Sequence, residues 1–461
     1  MVFHNDKVTG LRIAYIGGGS RGWAWGLMSD LAAEPALNGT VSLYDIDHEA
    51  AKHNEIIGNN YKNALGAQSV WKYKAVKSLK AALAGADFVV ISILPGTFDE
   101  MESDVHTPEK YGIYQPVGDS TGPGGLIRAY RTIPMFIEIA EAIMKYAPDA
   151  WVINYTNPMT LCVRTLYEVF PKIKAFGCCH EVKGTQALLA QAISEILDGD
   201  CPGDTDFYTN VQGVNHFTWI NEATWRGVDL LPVYDKFIDY VRAESIDTQE
   251  KDNWANKHFR SQNAVKFDLF KRYGVIAAAG DRHLVEFLPA WYVKTPEVAE
   301  SWSFGLTTVK SRKEGLQKRL AKSEEMRSQK EPYKLRLTGE EGVKQIKALL
   351  GLGNLLTNVN IPNSGQLSNL PNGPVVETNA LFTYDNVIPV NAGDMQWDVK
   401  ILVERIIHNQ ETILKAVFTG DKELGFRAFL GDPQMCISMD DAHALYEEMI
   451  ANTKQYIPWI K

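Results

Sequence analysis

The chain has 461 residues, with 47 Lys or Arg against 56 Asp or Glu and a formal net charge of −9. This acidic balance argues against a nucleic-acid partner, because neutralising phosphates requires a clustered basic face. The apolar runs fall far short of the roughly 20 residues that cross a bilayer, and the polar N-terminus lacks the apolar stretch of a signal peptide. We therefore expect a cytoplasmic protein with no membrane partner and a small-molecule ligand.

The cysteines form an odd and sparse set for a chain of this length. Such a set is typical of reduced thiols rather than of a disulfide framework. We expect one of the thiols to be chemically available. The five residues are Cys162, Cys178, Cys179, Cys201 and Cys436.

The first 180 residues alternate short apolar β-type runs with helical stretches, which is typical of a parallel α/β sheet. The runs are rich in Val, Ile and aromatic residues, as expected for strands buried on both faces. The predicted strands are Leu11–Ile16, Val41–Tyr44, Phe88–Leu94, Trp151–Tyr155 and Ile173–Gly177. The predicted helices include Trp23–Ala33, Ser78–Ala84 and Ile133–Tyr146.

The pattern becomes mixed after about residue 185. Residues 308–341 are highly charged and predict a solvated surface helix. The other predicted elements are helices at Gly184–Leu197, Asp235–Arg242 and Ala264–Arg272, and β-like runs at Val211–Val214 and Phe217–Ile220. The fold class is therefore α/β, with a Rossmann-type domain over residues 1–185 and a mixed α+β domain over residues 186–461. The second domain is expected to carry substrate, metal and oligomer contacts.

A glycine-rich turn follows the first predicted strand and opens the first predicted helix. Its glycines fall on the spacing G-x-G-x-x-G, which permits a tight turn and lets backbone N–H groups approach a pyrophosphate. Asp45 ends the second predicted strand, where a carboxylate can hold both ribose hydroxyls and so favours NAD over NADP. A glycine turn without a ligand is the alternative. The predicted NAD site consists of Gly17, Gly19, Ser20, Gly22 and Asp45.

Two asparagines, Asn154 and Asn157, lie at the end of another apolar strand. Their amides are expected at the carboxyl edge of the sheet, where open α/β sheets bind ligands. A short turn could also use two asparagines. We predict Asn154 as a cofactor contact and Asn157 as a substrate contact.

Thiol and imidazole groups follow a further strand, in the pair Cys179-His180. A second pair, Asn215-His216, separates two β-like runs. A thiolate and an imidazole brought together could bind a divalent metal, although each alone is more often structural.

Two other segments concentrate charge. The glycine-rich loop at 118–125 leads into a helix that carries Arg128 and Arg131, and it suits either anion contact or a structural turn. The segment at 280–286 contributes acid/base candidates if it lies near a pocket, and solvated charges otherwise. These candidates are Asp281, Arg282, His283 and Glu286.

Together these segments resemble glycoside hydrolase family 4, the NAD- and metal-dependent glycosidases whose fold is related to lactate and malate dehydrogenases. The resemblance runs in the same order from about residue 10 to residue 450. It rests on Ile16–Gly22, Asn154–Pro158, Gly177–His180, Asn215-His216 and His283–Glu286. Within the family, residues 92–96, 112–115, 177–182 and 280–283 look most like the α-galacturonidase branch.

The resemblance implies that Cys179 and His216 bind Mn²⁺, or another divalent metal, together with O2 and O3 of the sugar. It also implies an elimination assisted by temporary oxidation: NAD takes hydride from C3, a base removes the C2 proton, and the glycosidic oxygen leaves C1. Water then adds and the hydride returns. The implied activity releases galacturonic acid from α-galacturonides such as short pectin oligomers.

The acid and the base are less well defined by the resemblance. His180 is the predicted proton donor to the leaving group, with support of the metal site as its alternative role. Some α-glucosidase members place an Asp where this sequence has Asn263 or Ala264, and neither residue can accept a proton. Asp281, a tyrosine or a metal-bound water could serve instead, and His283 is a further predicted catalytic residue.

A uronate carboxylate calls for a basic partner, ideally the fork of an arginine. The candidates are Arg128, Arg131, Arg282 and Lys266, and His180 is a further predicted substrate contact. Three alternatives stay open: an α-glucosidase or α-galactosidase acting on neutral or 6-phosphorylated sugars, a 2-hydroxyacid dehydrogenase, and a non-enzymatic NAD sensor. Family members are commonly dimers or tetramers, so we expect a homodimer or a homotetramer.

Overall fold

The computed structural model describes residues 1–197, 202–203, 206–244, 246–248, 262–306, 308–328 and 333–460. Its strands are β1 (Val2–His4), β2 (Lys7–Ile16), β3 (Leu37–Tyr44), β4 (Trp71–Val76), β5 (Phe88–Ile91), β6 (Trp151–Asn154), β7 (Lys174–Gly177), β8 (Tyr208–Val214), β9 (Phe217–Trp225), β10 (Val228–Asp229), β11 (Ile276–Ala277), β12 (Leu355–Pro362), β13 (Val375–Thr383) and β14 (Asn386–Pro389).

The α-helices in the described residues are α1 (Trp23–Ala33), α2 (His48–Asn60), α3 (Leu79–Leu83), α4 (Phe98–His106), α5 (Gly122–Tyr146), α6 (Met159–Val169), α7 (Glu181–Leu197), α8 (Leu231–Glu244), α9 (Ala264–Tyr273), α10 (Asp281–Leu284), α11 (Pro296–Ser301), α12 (Val309–Ser328), α13 (Gly342–Leu349), α14 (Trp397–Thr419), α15 (Lys422–Leu430) and α16 (Met439–Thr453). Among these helices, none is long and apolar enough to cross a membrane.

The main sheet contains a parallel block in the order β4-β3-β2-β5-β6-β7. This order reverses between β2 and β5, the switch point where doubly wound sheets bind nucleotides. The antiparallel strands β12, β13 and β14 extend the sheet beyond β7. A smaller antiparallel sheet combines β8, β9, β10 and β11. The predicted parallel Rossmann sheet and the mixed C-terminal part are confirmed.

Strand β2 shows how the sequence covers both faces of the sheet. Ile13 and Tyr15 belong to an apolar cluster with residues of α1, while Ala14 and Ile16 belong to another cluster with Phe136 of α5. Successive side chains of a strand point to opposite faces, so a continuous apolar run is buried on both sides. The strand ends at the carboxyl edge, where the glycine turn begins.

Two elements differ from the sequence expectation. Strand β4 was not expected, because Lys72 and Lys74 are exposed and alternate with buried residues, as is typical of an edge strand rather than of a buried run. Helix α5 begins at Gly122 and continues through Ile133, where the predicted helix starts. Its first turn contains Pro123, a residue tolerated there because the first turn has free N–H groups anyway.

The strands after residue 350 join the N-terminal sheet, because Asn360 of β12 pairs with Gly177 of β7. Residues from both predicted domains therefore build one sheet, and the division at residue 185 stays a prediction. The described cysteines are free thiols, and Cys201 lies outside the described residues.

Candidate active site

The turn after β2 has no room for side chains at its glycines. A Cβ on Gly17 would lie 2.0 Å from the carbonyl oxygen of Ser92, and the residue has a φ of 92°. The N–H groups of Gly17 and Gly18 both donate to the carbonyl oxygen of Tyr44, at 2.9 and 2.8 Å. Gly22, at a φ of 148°, then starts α1 without a side-chain cap. The N–H groups of Gly17 and Gly18 are used within the protein, so the N–H groups in the uncapped first turn of α1 are the ones left to face a pyrophosphate.

Asp45 lies against this turn at the end of β3. Its Oδ2 accepts a hydrogen bond from the N–H of Gly19 at 2.8 Å, and its Oδ1 accepts one from Asp47 at 2.9 Å. Burial raises the pKa of Asp45 from its usual value. The carbonyl oxygen of Ser20 accepts from Asn54, which also donates to Gly18 and so braces the turn from α2. The predicted NAD residues are brought together, and the bracing role of Asn54 was missed because its sequence context is an ordinary helix.

Asn154 and Asn157 differ in what their surroundings leave free. Asn154 is fully buried, and its amide donates to the carbonyl oxygen of Thr156 and accepts from the N–H of Thr156, at 3.0 Å each. Asn157 donates to Asp119 Oδ2 at 3.2 Å, and its own Oδ1 is buried without a hydrogen-bond partner. Asn157 therefore retains an acceptor for a ligand hydroxyl, while Asn154 mainly shapes the strand end.

Three possible metal ligands converge beside Asn157. Single donor atoms of Asp119, His216 and His283 all lie within 4.8 Å of one another. His216 sits in the hairpin turn between β8 and β9 at a φ of 64°, a left-handed backbone that non-glycine residues adopt uncommonly and that clusters at functional sites. Its Nδ1 lies 2.9 Å from Ser120 Oγ, and its ring is 3.8 Å from that of His283.

The pKa values of all three residues in this cluster are lowered from their usual values. Burial lowers the pKa of His216 to about 3 and also lowers the pKa of His283, so both imidazoles are neutral near pH 7. The neighbouring histidines hold the pKa of Asp119 well below its usual range, against the opposing effect of burial. Neutral imidazoles and an ionised carboxylate are the forms that bind divalent metals. The glycine-rich loop at 118–125 contributes Asp119, which the sequence motif contained and to which no metal role was assigned.

Cys179, a predicted metal ligand, is half-buried at the start of the loop after β7. It does not belong to the close three-residue group found among the described residues. Burial raises the pKa of the thiol, as do the carboxylates of Glu377 and Glu181, while a hydrogen bond from Asn215 opposes the shift. Asn215 in turn donates to Glu377 at 3.1 Å. Cys179 thus approaches the metal-ligand hairpin through Asn215.

His180 and His283 lie on either side of one carboxylate. The Nε2 atoms of both rings lie 3.7 Å from Glu181 Oε1, and the Nδ1 of His180 lies 3.0 Å from Glu340 Oε1. His180 is 37% exposed, so a sugar can reach it. Glu181 also accepts from the N–H of Gly280 at 2.7 Å, which fixes its position. Glu181 lies within the motif at residues 177–182, but the motif alone does not indicate a role for it.

Asp281 does not face this cluster. It is fully buried and accepts hydrogen bonds from the N–H groups of Val265 and Lys266, at 3.3 and 3.0 Å. The carboxylate therefore satisfies free N–H groups in the first turn of α9, and burial raises its pKa to about 6. Asp281 therefore has a structural task at the start of α9, away from the position that a C2 base requires. The side chain of Lys266 is buried as well and donates to Thr185 at 2.9 Å.

The arginines of α5 also differ in whether their nitrogen atoms already have partners within the protein. Arg131 is fully buried, and both of its terminal nitrogens bind Asp104, so it serves the packing of α5 on α4. Arg128 donates through Nε to the carbonyl oxygen of Asn157 at 3.1 Å, while its Nη1 is buried without a partner. Burial lowers the pKa of Arg128 and lowers that of Arg282 to about 10, and Asp119 acts electrostatically on both.

Arg312 is a third arginine that acts on this site, from a helix that the sequence predicted to be solvated surface. Its Nε is buried without a hydrogen-bond partner, and Asp119 and Glu286 are the carboxylates that act on it. Glu286 is fully buried, and its Oε1 accepts from the N–H groups of Val117 and Gly118. Burial raises the pKa of Glu286 to about 8, so it is mostly protonated at neutral pH. Charge pattern alone could not single out Arg312, because α12 carries many exposed Lys and Arg residues.

Two family descriptions match this chain in succession. The family 4 glycosyl hydrolase description matches residues 12–195, and the description of the C-terminal domain of that family matches residues 211–435. A relative from Thermoanaerobacterium saccharolyticum, named alpha-galacturonidase, is 57% identical over 458 residues, which cover 99% of this chain and 98% of the relative.

Solved structures share the fold. The crystal structure of lplD from Bacillus subtilis is 51% identical and superposes with a TM-score of 0.90, covering 96% of this chain and 100% of that chain. A 6-phospho-beta glucosidase from Thermotoga maritima, solved with manganese, NAD+ and glucose-6-phosphate, is 20% identical with a TM-score of 0.75, covering 97% and 99%. The matches to both family descriptions and the similarity over nearly the whole chain lead to one conclusion: this chain belongs to glycosyl hydrolase family 4.

Proposed function

We propose that this protein is an NAD- and divalent-metal-dependent α-galacturonidase that releases galacturonic acid from short α-galacturonides. The observation that carries the proposal is a pair of arginines on which Asp119 acts: Arg128 Nη1 and Arg312 Nε are both buried without a hydrogen-bond partner. Buried cations favour an anionic ligand, because an unpaired charge is costly away from water. The relative named alpha-galacturonidase supports the same substrate.

The turn after β2 fits a dinucleotide. A Cβ on Gly17 would collide with Ser92, and a Cβ on Gly19 would collide with Asp45 and Ala50, so neither position accepts a side chain. The first turn of α1 has neither an acidic residue nor a side-chain cap, which leaves its N–H groups free for phosphate oxygens. Asp45 would hold the ribose hydroxyls, and the position of Asn154 keeps it as a proposed cofactor contact.

The donor set around His216 fits a hard or borderline divalent metal. Carboxylate and imidazole donors suit Mn²⁺, and Asp119 provides a carboxylate oxygen within 4.8 Å of the His216 imidazole. Cys179 stays a proposed ligand from the resemblance, beside His216. A thiol with a raised pKa binds a metal only by releasing its proton, so metal binding through Cys179 would strengthen as the pH rises.

Bound NAD would supply hydride transfer at the sugar, and a bound metal would polarise sugar oxygens. The residues of the chain then have to orient the sugar and move its protons. Asn157 offers its unpaired Oδ1 to a sugar hydroxyl, and Arg128 offers its unpaired Nη1 to an acceptor. His180 is exposed enough to donate a proton to the leaving oxygen, and Glu340 holds its ring in place.

His283 is the proposed base in place of Asp281. It lies against His216 and is neutral near pH 7, so it can accept a proton. Glu181 lies between His283 and His180, and its negative charge stabilises whichever imidazole carries the proton. A carboxylate shared by two imidazoles can thus support one proton arriving and one leaving in a single turnover.

The biological setting is part of the same proposal. Short galacturonides imported into the cell would meet a cytoplasmic enzyme, and we propose that location with a homodimer or homotetramer as the assembly.

The proposal is tested by comparing digalacturonate with its neutral α-galactoside counterpart and with a 6-phospho-α-glucoside. We expect digalacturonate to be cleaved only when NAD and Mn²⁺ are both added, and at least about 100-fold faster than the neutral sugar, because a site built for a charged group rejects analogues that lack it. Cleavage of the phosphorylated sugar with digalacturonate untouched would overturn the substrate. Steady accumulation of NADH without cleavage would instead indicate a dehydrogenase.

A further inference from the structure

Helix α12 presents two arginines seven residues apart, Arg312 and Arg319, which places them on one face of the helix. The two ends of the helix are held on different neighbours. The N–H of its first residue donates to His106 of α4 at 3.2 Å, and Arg327 near its end contacts His53 of α2 at 3.1 Å. Since α2 and α4 both belong to the N-terminal part of the chain that contains the glycine turn, α12 is held at a fixed position against that part.

Arg312 is half-buried and has no counter-charge of its own among the described residues. Its Nε has no hydrogen-bond partner, and no carboxylate of the described residues lies within 4.0 Å of its guanidinium nitrogens. Of the acidic groups that act on it, Asp119 accepts hydrogen bonds from Ser120 and Asn157. Glu286 accepts hydrogen bonds from two backbone N–H groups through Oε1, keeps Oε2 without a partner and is mostly protonated at neutral pH, so it supplies little negative charge. A cation whose Nε is buried without a partner favours an anion supplied by a ligand.

Arg319 belongs to the cofactor side of the same face. Its Cδ lies 4.0 Å from where a Cβ on Gly22 would stand, next to the start of α1. Arg312 lowers the pKa of Arg319 further than burial does alone, so the two cations repel each other. An anion beside each arginine would relieve this repulsion. The phosphates of a dinucleotide at Gly22 would lie beside Arg319, and they would leave Arg312 without an anion.

We propose that Arg312 binds the carboxylate of the uronide and thereby sets the specificity for acidic over neutral sugars. The inference rests on the proposed function and identifies the residue of this chain that reads the substrate's charge. Arg128 already uses its Nε on Asn157, whereas the guanidinium of Arg312 keeps its donors for a carboxylate, which it can bind through two parallel hydrogen bonds. The acidic group of the sugar then lies between α12 and the loop that carries Asp119.

The test replaces Arg312 by Met, which keeps the length of the side chain and removes its charge. Lys310→Met is the matched control, because Lys310 is an exposed cation two residues away on the same helix. For the wild type and both variants, calorimetry measures the affinity for galacturonate, for galactose and for NAD in the presence of Mn²⁺. The Arg312→Lys variant retains the charge without the fork, and circular dichroism checks that each variant is folded.

We expect Arg312→Met to weaken galacturonate binding by roughly 100-fold, with the affinities for galactose and NAD within about threefold of wild type. Lys310→Met should leave all three affinities unchanged. The affinity of Arg312→Lys for galacturonate should lie between those of the wild type and Arg312→Met. An equal loss for galacturonate and galactose would overturn the proposal in favour of a structural role. A loss of NAD affinity with unchanged galacturonate binding would make Arg312 a cofactor residue. Failure of the proposed function would appear separately, in a wild-type protein that does not prefer galacturonate over galactose.

Discussion

Single residues of the site differ in how many of their polar atoms the fold has already used. Asp281 caps α9 and Arg131 binds Asp104, so neither retains atoms for a ligand. Asn157 and Arg128 each keep a buried atom without a partner. Buried polar atoms are rarely left unpaired in folded proteins, so such atoms around one cluster mark where a ligand completes the hydrogen bonding.

Cys179 is a metal ligand in the set that the resemblance implies, but it is absent from the close group of Asp119, His216 and His283. We expect Cys179→Ser to raise the dissociation constant of Mn²⁺ by at least about 10-fold, because it removes a proposed ligand. Cys178→Ser is the control, since Cys178 is the neighbouring thiol and is buried against Tyr155. Titration followed by electron paramagnetic resonance measures the affinity. Unchanged binding in Cys179→Ser, with loss in Asp119→Asn, would show that Asp119, His216 and His283 hold the metal without the thiol.

The contribution of His180 to kcat/KM should increase with the basicity of the leaving group, because a more basic leaving oxygen needs a proton to depart. We expect His180→Gln to lower kcat/KM on digalacturonate by roughly 100-fold, because general-acid catalysis contributes about that much or more. The same variant should lose less than about tenfold on a nitrophenyl galacturonide, whose leaving group departs without protonation. Steady-state kinetics on both substrates measure the ratio. Equal losses on the two substrates would contradict a role in protonating the leaving oxygen.

At the scale of secondary-structure elements, the turn between β2 and α1 depends on contacts that only glycine permits. Gly17→Ala should destabilise the fold, because its Cβ would collide with the carbonyl of Ser92 in addition to the cost of a positive φ. Gly227→Ala isolates the second effect, since Gly227 has a φ of 81° and open space around it. We expect a loss of unfolding free energy of about 1 kcal/mol for Gly227→Ala and about 2 kcal/mol more for Gly17→Ala, measured by urea denaturation. Equal losses would show that the Ser92 contact relaxes.

Elements were predictable where one rule decided them. The buried strands β2 and β5 follow from apolar runs, and the proposed site residues Asp45, Asn154 and Cys179 lie at or just after strand ends. Strand β4 was not predicted, because its alternation of Lys with aromatic residues is typical of an edge strand of a sheet. The face of α12 that carries Arg312 could not be read from the sequence, since only the packing of the helix on α2 and α4 decides which of its many cations point inward.

At the scale of the whole molecule, the site draws on distant parts of the chain. Asp119, Cys179, His216, His283 and Arg312 come from separate segments that the parallel sheet and the β8–β9 hairpin bring together. The family motifs contained three of these residues, Cys179, His216 and His283. The contribution of Arg312 and the structural task of Asp281 depended on long-range packing, which spacing along the sequence does not encode.

The most direct test of the account is the hydrolysis of digalacturonate in D₂O with NAD, Mn²⁺ and a reductant, followed by NMR of the released galacturonate. We expect deuterium at C2 and retention of the original hydrogen at C3, because a base removes the C2 proton and the transferred hydride returns. Omission of either NAD or Mn²⁺ should abolish the release. Rapid release without NAD and without deuterium at C2 would contradict the account, since it would show direct displacement at C1.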